Sequence, residues 1–412
     1  MNMKKLLSFA AAALLAVTFC SCGAEKDSSS KSAQDISKAA PVKSDDGNFG
    51  KYVSNTFVAS GNNYLTESAE HVTFRAYFPV EEYGELEYCF YFSNTVDSTY
   101  DDGALAHAGL TGGKYTIESA YIADGGTSIE DEITNQCAVT FDGNTERAVS
   151  EGETFWSDAL SFDVPEGHFL VWEWTITGEN IPSSSVSNLT KVGADHNDGK
   201  GLVYCDQVPL PQLIGAERQV KYRIAAIGDS ITQGCQTEFM AYEYWAARIS
   251  QKLGSGYGFW NCGLGWARTS DAASDGDWLK RASTSDIVIV AFGTNDIVSG
   301  EYGGDGGNNA DEIDGYVRTV LDRLKNEKCS VIVFNAPPED YLDHLEAVRI
   351  EYNEKLKKTC EEYGVSYFDF ASLLSDESDP KKALYGGHPN GEGGEIVSEE
   401  FIRLYKDYLD LT

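Results

Sequence analysis

The chain has 412 residues, 42% of them hydrophobic and 24% charged. These globular proportions exclude wholesale disorder, a collagen-like fibre and a multi-span membrane protein, and the length predicts two or three domains. A net charge of −33 argues against nucleic acid as a partner, because such a surface repels phosphate backbones.

The charge divides into +1 over residues 1–48, −20 over 49–219 and −14 over 220–412. In the first piece, Lys4 and Lys5 precede an apolar run over 6–19. That run has signal-peptide length and is too short to span a bilayer. It leads into Phe19-Cys20-Ser21-Cys22. A cysteine after a small residue at this place resembles a bacterial lipoprotein box, with Phe19 where Leu is usual. The resemblance implies a lipoprotein-type signal peptide over 1–22, lipid attachment at Cys22 and a position on the outer face of the cell membrane. An ordinary secretory signal is the alternative, and it also exports the protein. Residues 23–48 are rich in Ser, Lys and Asp and predict a flexible tether.

Residues 49–215 predict an all-β domain. Short aromatic and β-branched runs lie at 71–78, 86–92, 115–122, 138–141 and 169–176, separated by Asp-Gly, Gly-Gly and Glu-Gly turns. The spacing predicts a sandwich of the jelly-roll kind. Trp172 and Trp174 share one strand face and are expected in its core. His71, His107, His168 and His196 are far apart and read as structural or surface residues. Seven cysteines lie beyond the signal region, with no Cys-x-x-Cys and no Cys/His cluster, so no metal site is expected. One disulfide among Cys89, Cys137 and Cys205 is a possibility beside the alternative of small buried side chains.

From residue 220 to 412 strands alternate with helices. Strands are expected at 222–227, 258–262, 286–292, 330–334 and 365–369. Helices are expected at 241–253, 311–327, 341–363 and 395–409. The alternation predicts an α/β fold with a parallel sheet covered on both faces. Ligands bind at the carboxyl ends of such strands, and the distinctive sequences lie there. Gly228-Asp229-Ser230-Ile231-Thr232 follows the first strand, Asn261-Cys262-Gly263-Leu264-Gly265 the second and Gly293-Thr294-Asn295-Asp296 the third. His388-Pro389-Asn390 stands before the last helix. A serine nucleophile needs a base and donors for its oxyanion. His388 is the candidate base. The Ser230 and Gly265 amides and the Asn295 side chain are the candidate donors.

These four blocks, in this order, resemble the SGNH/GDSL hydrolase superfamily. The resemblance covers about 220–412. It implies a flavodoxin-like three-layer α/β/α fold and serine esterase chemistry without metal or cofactor. It assigns Ser230 as nucleophile, His388 as base, and Gly265 and Asn295 to the oxyanion hole. The β-domain looks like one that precedes the catalytic domain in some extracellular members.

Two positions depart from the pattern. The Asp usual three residues before the histidine is Tyr385, and a phenol of pKa about 10 cannot replace a carboxylate at neutral pH. A backbone carbonyl, as in some two-domain members of the superfamily, or Asp379 or Asp376 upstream, is expected to hold the imidazole. The second departure is Trp266, where the usual second-block turn ends in Gly.

The expected protein is an extracellular esterase. It removes short acyl groups, acetyl foremost, from a small-molecule or polysaccharide ester, with a lipid anchor holding it to the membrane. A lipase or thioesterase is the enzymatic alternative. A non-catalytic polysaccharide-binding lipoprotein with a degenerate hydrolase domain is the alternative from another class.

Overall fold

The computed structural model describes residues 42–43, 47–98, 109–274, 276–298 and 309–411. The expected signal peptide, Cys22, most of the tether and His107 lie outside the described residues. The glycine-rich stretch 300–309, whose sequence reads as a flexible loop, lies there too except for Asn309. At the end of the expected tether, Lys43 is docked: its backbone N–H donates to Asp286 Oδ1 at 2.8 Å.

Two antiparallel sheets fill the described part of the region from Tyr52 to Glu217. The first runs Tyr52–Ser54, Leu213–Glu217, Gly84–Ser93, Thr154–Trp156, with Leu160–Val164 also paired to Gly84–Ser93. The second is built on two long strands, Tyr64–Pro79 and Phe169–Ser183, with Tyr115–Asp124 and Thr134–Val139 beyond them. Their facing side chains form the sandwich core. Phe90 packs on Trp172 at 4.8 Å between ring centroids, and Phe92 stacks on Phe155 at 4.8 Å and meets Trp174 at 5.5 Å. Both tryptophans are buried as expected. Cys89, Cys137 and Cys205 are free thiols, so the possible disulfide is not formed. Cys89 instead lies buried, its Sγ 3.2 Å from the Ser157 carbonyl oxygen.

The following region is a parallel sheet of five strands. They are β1 (Arg223–Gly228), β2 (Gly258–Gly263), β3 (Ile287–Ala291), β4 (Ser330–Phe334) and β5 (Ser366–Phe368), in the spatial order β2-β1-β3-β4-β5. That is the flavodoxin-like order. Alternate residues enter two separate cores. Ile224, Ala226, Ile287, Ile289, Ile332 and Phe334 pack with Trp245, Ile249, Val397 and Phe401. Ala225, Ile227, Val288, Val290, Val331 and Val333 pack with Val317, Leu321, Tyr352 and Leu356. A strand buried on both faces reads as a continuous apolar run, and Ile287–Ala291 (Ile-Val-Ile-Val-Ala) does so.

Register decides where the site falls. Gly228 pairs with Gly263 on one side and Ala291 on the other, and Ala291 pairs with Phe334. The four carboxyl ends are therefore level, and the loops that leave them meet. Helix ends differ from expectation mainly in the first and last helices. The structure has Trp245–Leu253, because Met240 and Tyr242 adopt left-handed backbone conformations. It has Gly391–Tyr405 because Asn390 caps it, accepting from the Glu392 and Gly393 amides at 3.1 Å.

The sandwich and the parallel sheet share buried polar contacts. Arg281 donates to Asp97 at 2.8 Å, the Ser98 hydroxyl to Asp271 at 2.9 Å and the Trp260 indole to the Gln212 carbonyl at 2.9 Å.

Candidate active site

Ser230 lies one residue beyond the end of β1, as the first residue of a short helix, Ser230–Gln233. Asp229 caps it, accepting from the Ile231 amide at 2.9 Å. The turn is tight enough to require Gly228, since a Cβ there would strike the Thr232 hydroxyl and the Ala291 carbonyl. The Ser230 hydroxyl stands 2.8 Å from His388 Nε2. Two residues 158 positions apart are thus in hydrogen-bond contact.

Gly265 lies on the loop after β2. The Leu264 amide donates to the Gly228 carbonyl at 3.0 Å, and the Ala267 amide closes a turn on the Leu264 carbonyl at 3.1 Å. Trp266 occupies the left-handed position of that turn, with φ +66°. The backbone conformation that a glycine usually supplies is thus kept, with a tryptophan carrying it. The Gly265 carbonyl accepts from Asn63 Nδ2, on the sandwich, at 3.0 Å. Asn295 is the second residue of the short helix Thr294–Val298 after β3. Its amide donates to the Ala267 carbonyl at 3.0 Å, so one of its two N–H bonds ties it to the loop after β2. Its neighbour Asp296 is buried and accepts from the Thr269 amide and hydroxyl at 3.0 and 2.9 Å. Burial pushes Asp296 up to about 6.

Ser230, Gly265, Asn295 and His388 line one open cleft of about 850 Å³. The sandwich contributes Asn63, Tyr64 and Ser185 to its wall, and the α/β region adds Gln233, Gln236, Trp266, Leu342 and Leu345. Among the described lining residues the formal charges are Glu339 and Asp340, with His388 when protonated. Trp266 is 38% exposed at this rim, whereas Trp260 and Trp278 are buried. His344 is exposed, as its charged surroundings suggest.

The acids expected to hold the imidazole are elsewhere. Asp376 and Asp379 face each other across a hairpin, Ser375–Asp376 with Asp379–Ala383. Asp376 is engaged by the Ser378 amide at 2.8 Å and hydroxyl at 2.6 Å. Neither has a hydrogen bond or ion pair with His388. Tyr385 is half-buried against the core, so the position of the usual Asp is spent on packing. The carboxylate across from His388 Nδ1 is that of Glu339, at 3.9 Å. The sequence reading missed it, although Glu339 follows β4 as Ser230 follows β1. The strand-end rule that found the other residues would have found this one.

Burial holds His388 below its ordinary value, which keeps the imidazole neutral and able to take a proton at neutral pH. Burial pushes Glu339 up to about 7 and Asp229 up to about 8, Asp229 feeling the Glu339 and Asp296 charges as well.

Comparison with known proteins bears on this region. Residues 226–396 match the GDSL-like Lipase/Acylhydrolase family. Among solved structures, a member of the lipolytic protein G-D-S-L family from Veillonella parvula is 18% identical, over 44% of this chain and 97% of that one, at a TM-score of 0.36. An acetylxylan esterase from Geobacillus stearothermophilus is also 18% identical, over 45% and 94%, at 0.36. An α/β hydrolase from the metagenome of Lake Arreo is 16% identical, over 46% and 97%, at 0.37. No curated protein matches the chain.

Proposed function

With residues 226–396 a GDSL-like lipase/acylhydrolase domain, we propose that the protein is a serine esterase that removes short acyl groups, acetyl foremost, from carbohydrate. The observation that carries this reading is the 2.8 Å contact of Ser230 Oγ with His388 Nε2 at the floor of the cleft. His388 takes the hydroxyl proton as Oγ attacks the ester carbonyl. The oxyanion is received by the Ser230 and Gly265 amides and the free N–H of Asn295. His388 returns the proton to the departing alcohol, and water then releases the acyl group from Ser230 by the same steps.

The lining supports a neutral, polyhydroxylated alcohol. Tyr64, Ser185 and Gln236 bring uncharged polar side chains to the wall, and Trp266 is partly exposed there. Glu339 and Asp340 would repel a phosphate or carboxylate. One feature favours a longer acyl chain as a second reading: Leu342, 61% exposed, stands at the rim beside Leu345.

The test is hydrolysis of 4-nitrophenyl acetate, butyrate and octanoate by the wild type and Ser230→Ala. Loss of at least ~10³-fold in kcat for the variant is expected, with the acetate fastest. Equal rates for the two proteins would overturn the mechanism, and an octanoate preference would select the lipase reading. We place the enzyme outside the cytoplasm, anchored through lipid on Cys22. Membrane-fraction recovery should be lost in Cys22→Ser, and unchanged recovery would reject the anchor.

A further inference from the structure

We infer that Glu339 is the positioning residue for His388, a carboxylate supplied by the loop after β4 in place of the Asp missing from the histidine's own loop. This rests on the esterase reading above and names the group that reading leaves open.

Three observations converge. Glu339 Oε1 is 3.9 Å from Nδ1, and among the described residues no other carboxylate is within ion-pair reach of that nitrogen. Gly387, next to the histidine, has no Cβ where one would strike Glu339 Cγ. The close approach of the two loops therefore depends on that glycine. Pro337 and Pro338 precede Glu339 and restrict the backbone that delivers it. The present separation exceeds a hydrogen bond, as is common before substrate binds, and contact is expected to tighten in the reacting complex.

The step balances without a further reagent. The Oγ–C bond forms, the carbonyl π pair moves to the oxygen and the Oγ proton moves to Nε2. The Nδ1 proton stays on Nδ1 and turns toward Glu339, which offsets the imidazolium charge. When the intermediate collapses, the Nε2 proton leaves on the alcohol oxygen.

The electrostatic surroundings give a distinctive readout. Glu339 faces His388 from the C-terminal loop, Asp229 from the end of β1, and Asp340 and Tyr341 on its own loop. Arg349, on the Asp343–Tyr363 helix, reaches this area but is paired to Glu346 at 2.6 and 2.8 Å. Burial pushes Glu339 up to about 7. It is therefore an anion above that pH and neutral below it, so kcat/KM in the wild type should fall as the pH drops through about 7. His388 titrates lower, because burial moves it below 6.5.

The experiment follows 4-nitrophenyl acetate hydrolysis from about pH 5 to 9 in the wild type, Glu339→Gln, Glu339→Asp, Gly387→Ala and Ser230→Ala. Thermal melting of each is recorded alongside. Glu339→Gln should lower kcat by ~10²-fold or more, toward the ~10⁴ of a triad that has lost its acid, with KM little changed. Its acid limb should move to lower pH, because His388 alone then sets it. Glu339→Asp should recover part of the rate, and Gly387→Ala should reproduce the Gln phenotype by displacing the carboxylate. If Glu339→Gln does not fold, Gly387→Ala carries the same kcat and pH test. Wild-type kcat and acid limb in these variants, with Ser230→Ala inactive, would overturn the inference while leaving the esterase. Activity in Ser230→Ala would instead remove the esterase reading beneath it.

Discussion

The two halves of the molecule solve burial differently, and their charges accord with that. Each sandwich sheet has one face in the sandwich core, and the other face of the Gly84–Ser93 sheet is partly covered as well, where Tyr91 and Leu213 pack with Trp260 of the α/β region. The outward positions carry acids such as Glu85, Glu87, Glu118 and Asp163. The parallel sheet has no outward face, since its alternate residues enter two separate cores. Among its strand residues the one charge is Arg223, at the start of β1 and paired with Asp286 at 3.1 Å; the other charges of the region stand outside this sheet. The −20 of residues 49–219 against the −14 of residues 220–412 accords with acids standing at exposed strand positions of the sandwich. Aromatics divide likewise. The sandwich buries Phe90, Phe92, Phe155, Trp172 and Trp174 against one another. The α/β region leaves Trp266 partly exposed in the cleft that Ser230 lines.

The division is broken at one edge, where the sandwich lends Asn63, Tyr64 and Ser185 to the cleft. Asn63 is the sharpest probe of that loan. It is buried, and its amide donates to the carbonyl of Gly265, the residue whose own N–H is proposed to meet the oxyanion. Asn63→Ala should lower kcat toward aryl acetate by ~10- to 10²-fold, the scale on which small misplacements of a catalytic group act. Loss of the buried hydrogen bond should cost about 1–3 kcal/mol of stability. A variant that melts lower but turns over at the wild-type rate would make the sandwich a scaffold and nothing more.

Much of the fold was legible because patterning and packing agree. The runs at 286–292 and 330–334 are strands buried on both sides. The Trp172 and Trp174 alternation marks an inner sheet face. What escaped the reading came from tertiary constraints. The strand Tyr64–Pro79 begins seven residues before the predicted run because its register shifts between Ala69 and Val72, with His71 at φ +53°. A bulge of that kind interrupts alternation without ending the strand. Ser230 and His388 were legible from their strand-end and pre-helix positions. Glu339 was missed because the acid was sought near the histidine in sequence, whereas the loop after β4 and the loop before the last helix bring the two together only in space. Asp376 and Asp379 were closer along the chain, but a hairpin turns them to each other.

The smallest predicted effect concerns Trp266. A non-glycine residue in the left-handed region costs on the order of 1 kcal/mol, and this one is also partly exposed. Trp266→Gly should relieve the backbone while losing some ring contacts, leaving stability within about 1 kcal/mol of the wild type. Turnover of 4-nitrophenyl acetate, which needs no alcohol subsite, should change little. KM for an acetylated oligosaccharide should rise several-fold, about the ~1 kcal/mol that an exposed ring contributes to stacking. The two substrates together make the outcome decisive. A parallel loss on both would mean that Trp266 holds the oxyanion turn. A rise confined to the carbohydrate would mean that the α/β region keeps this aromatic outside its core to hold substrate, whereas the sandwich turns most of its aromatics inward for stability.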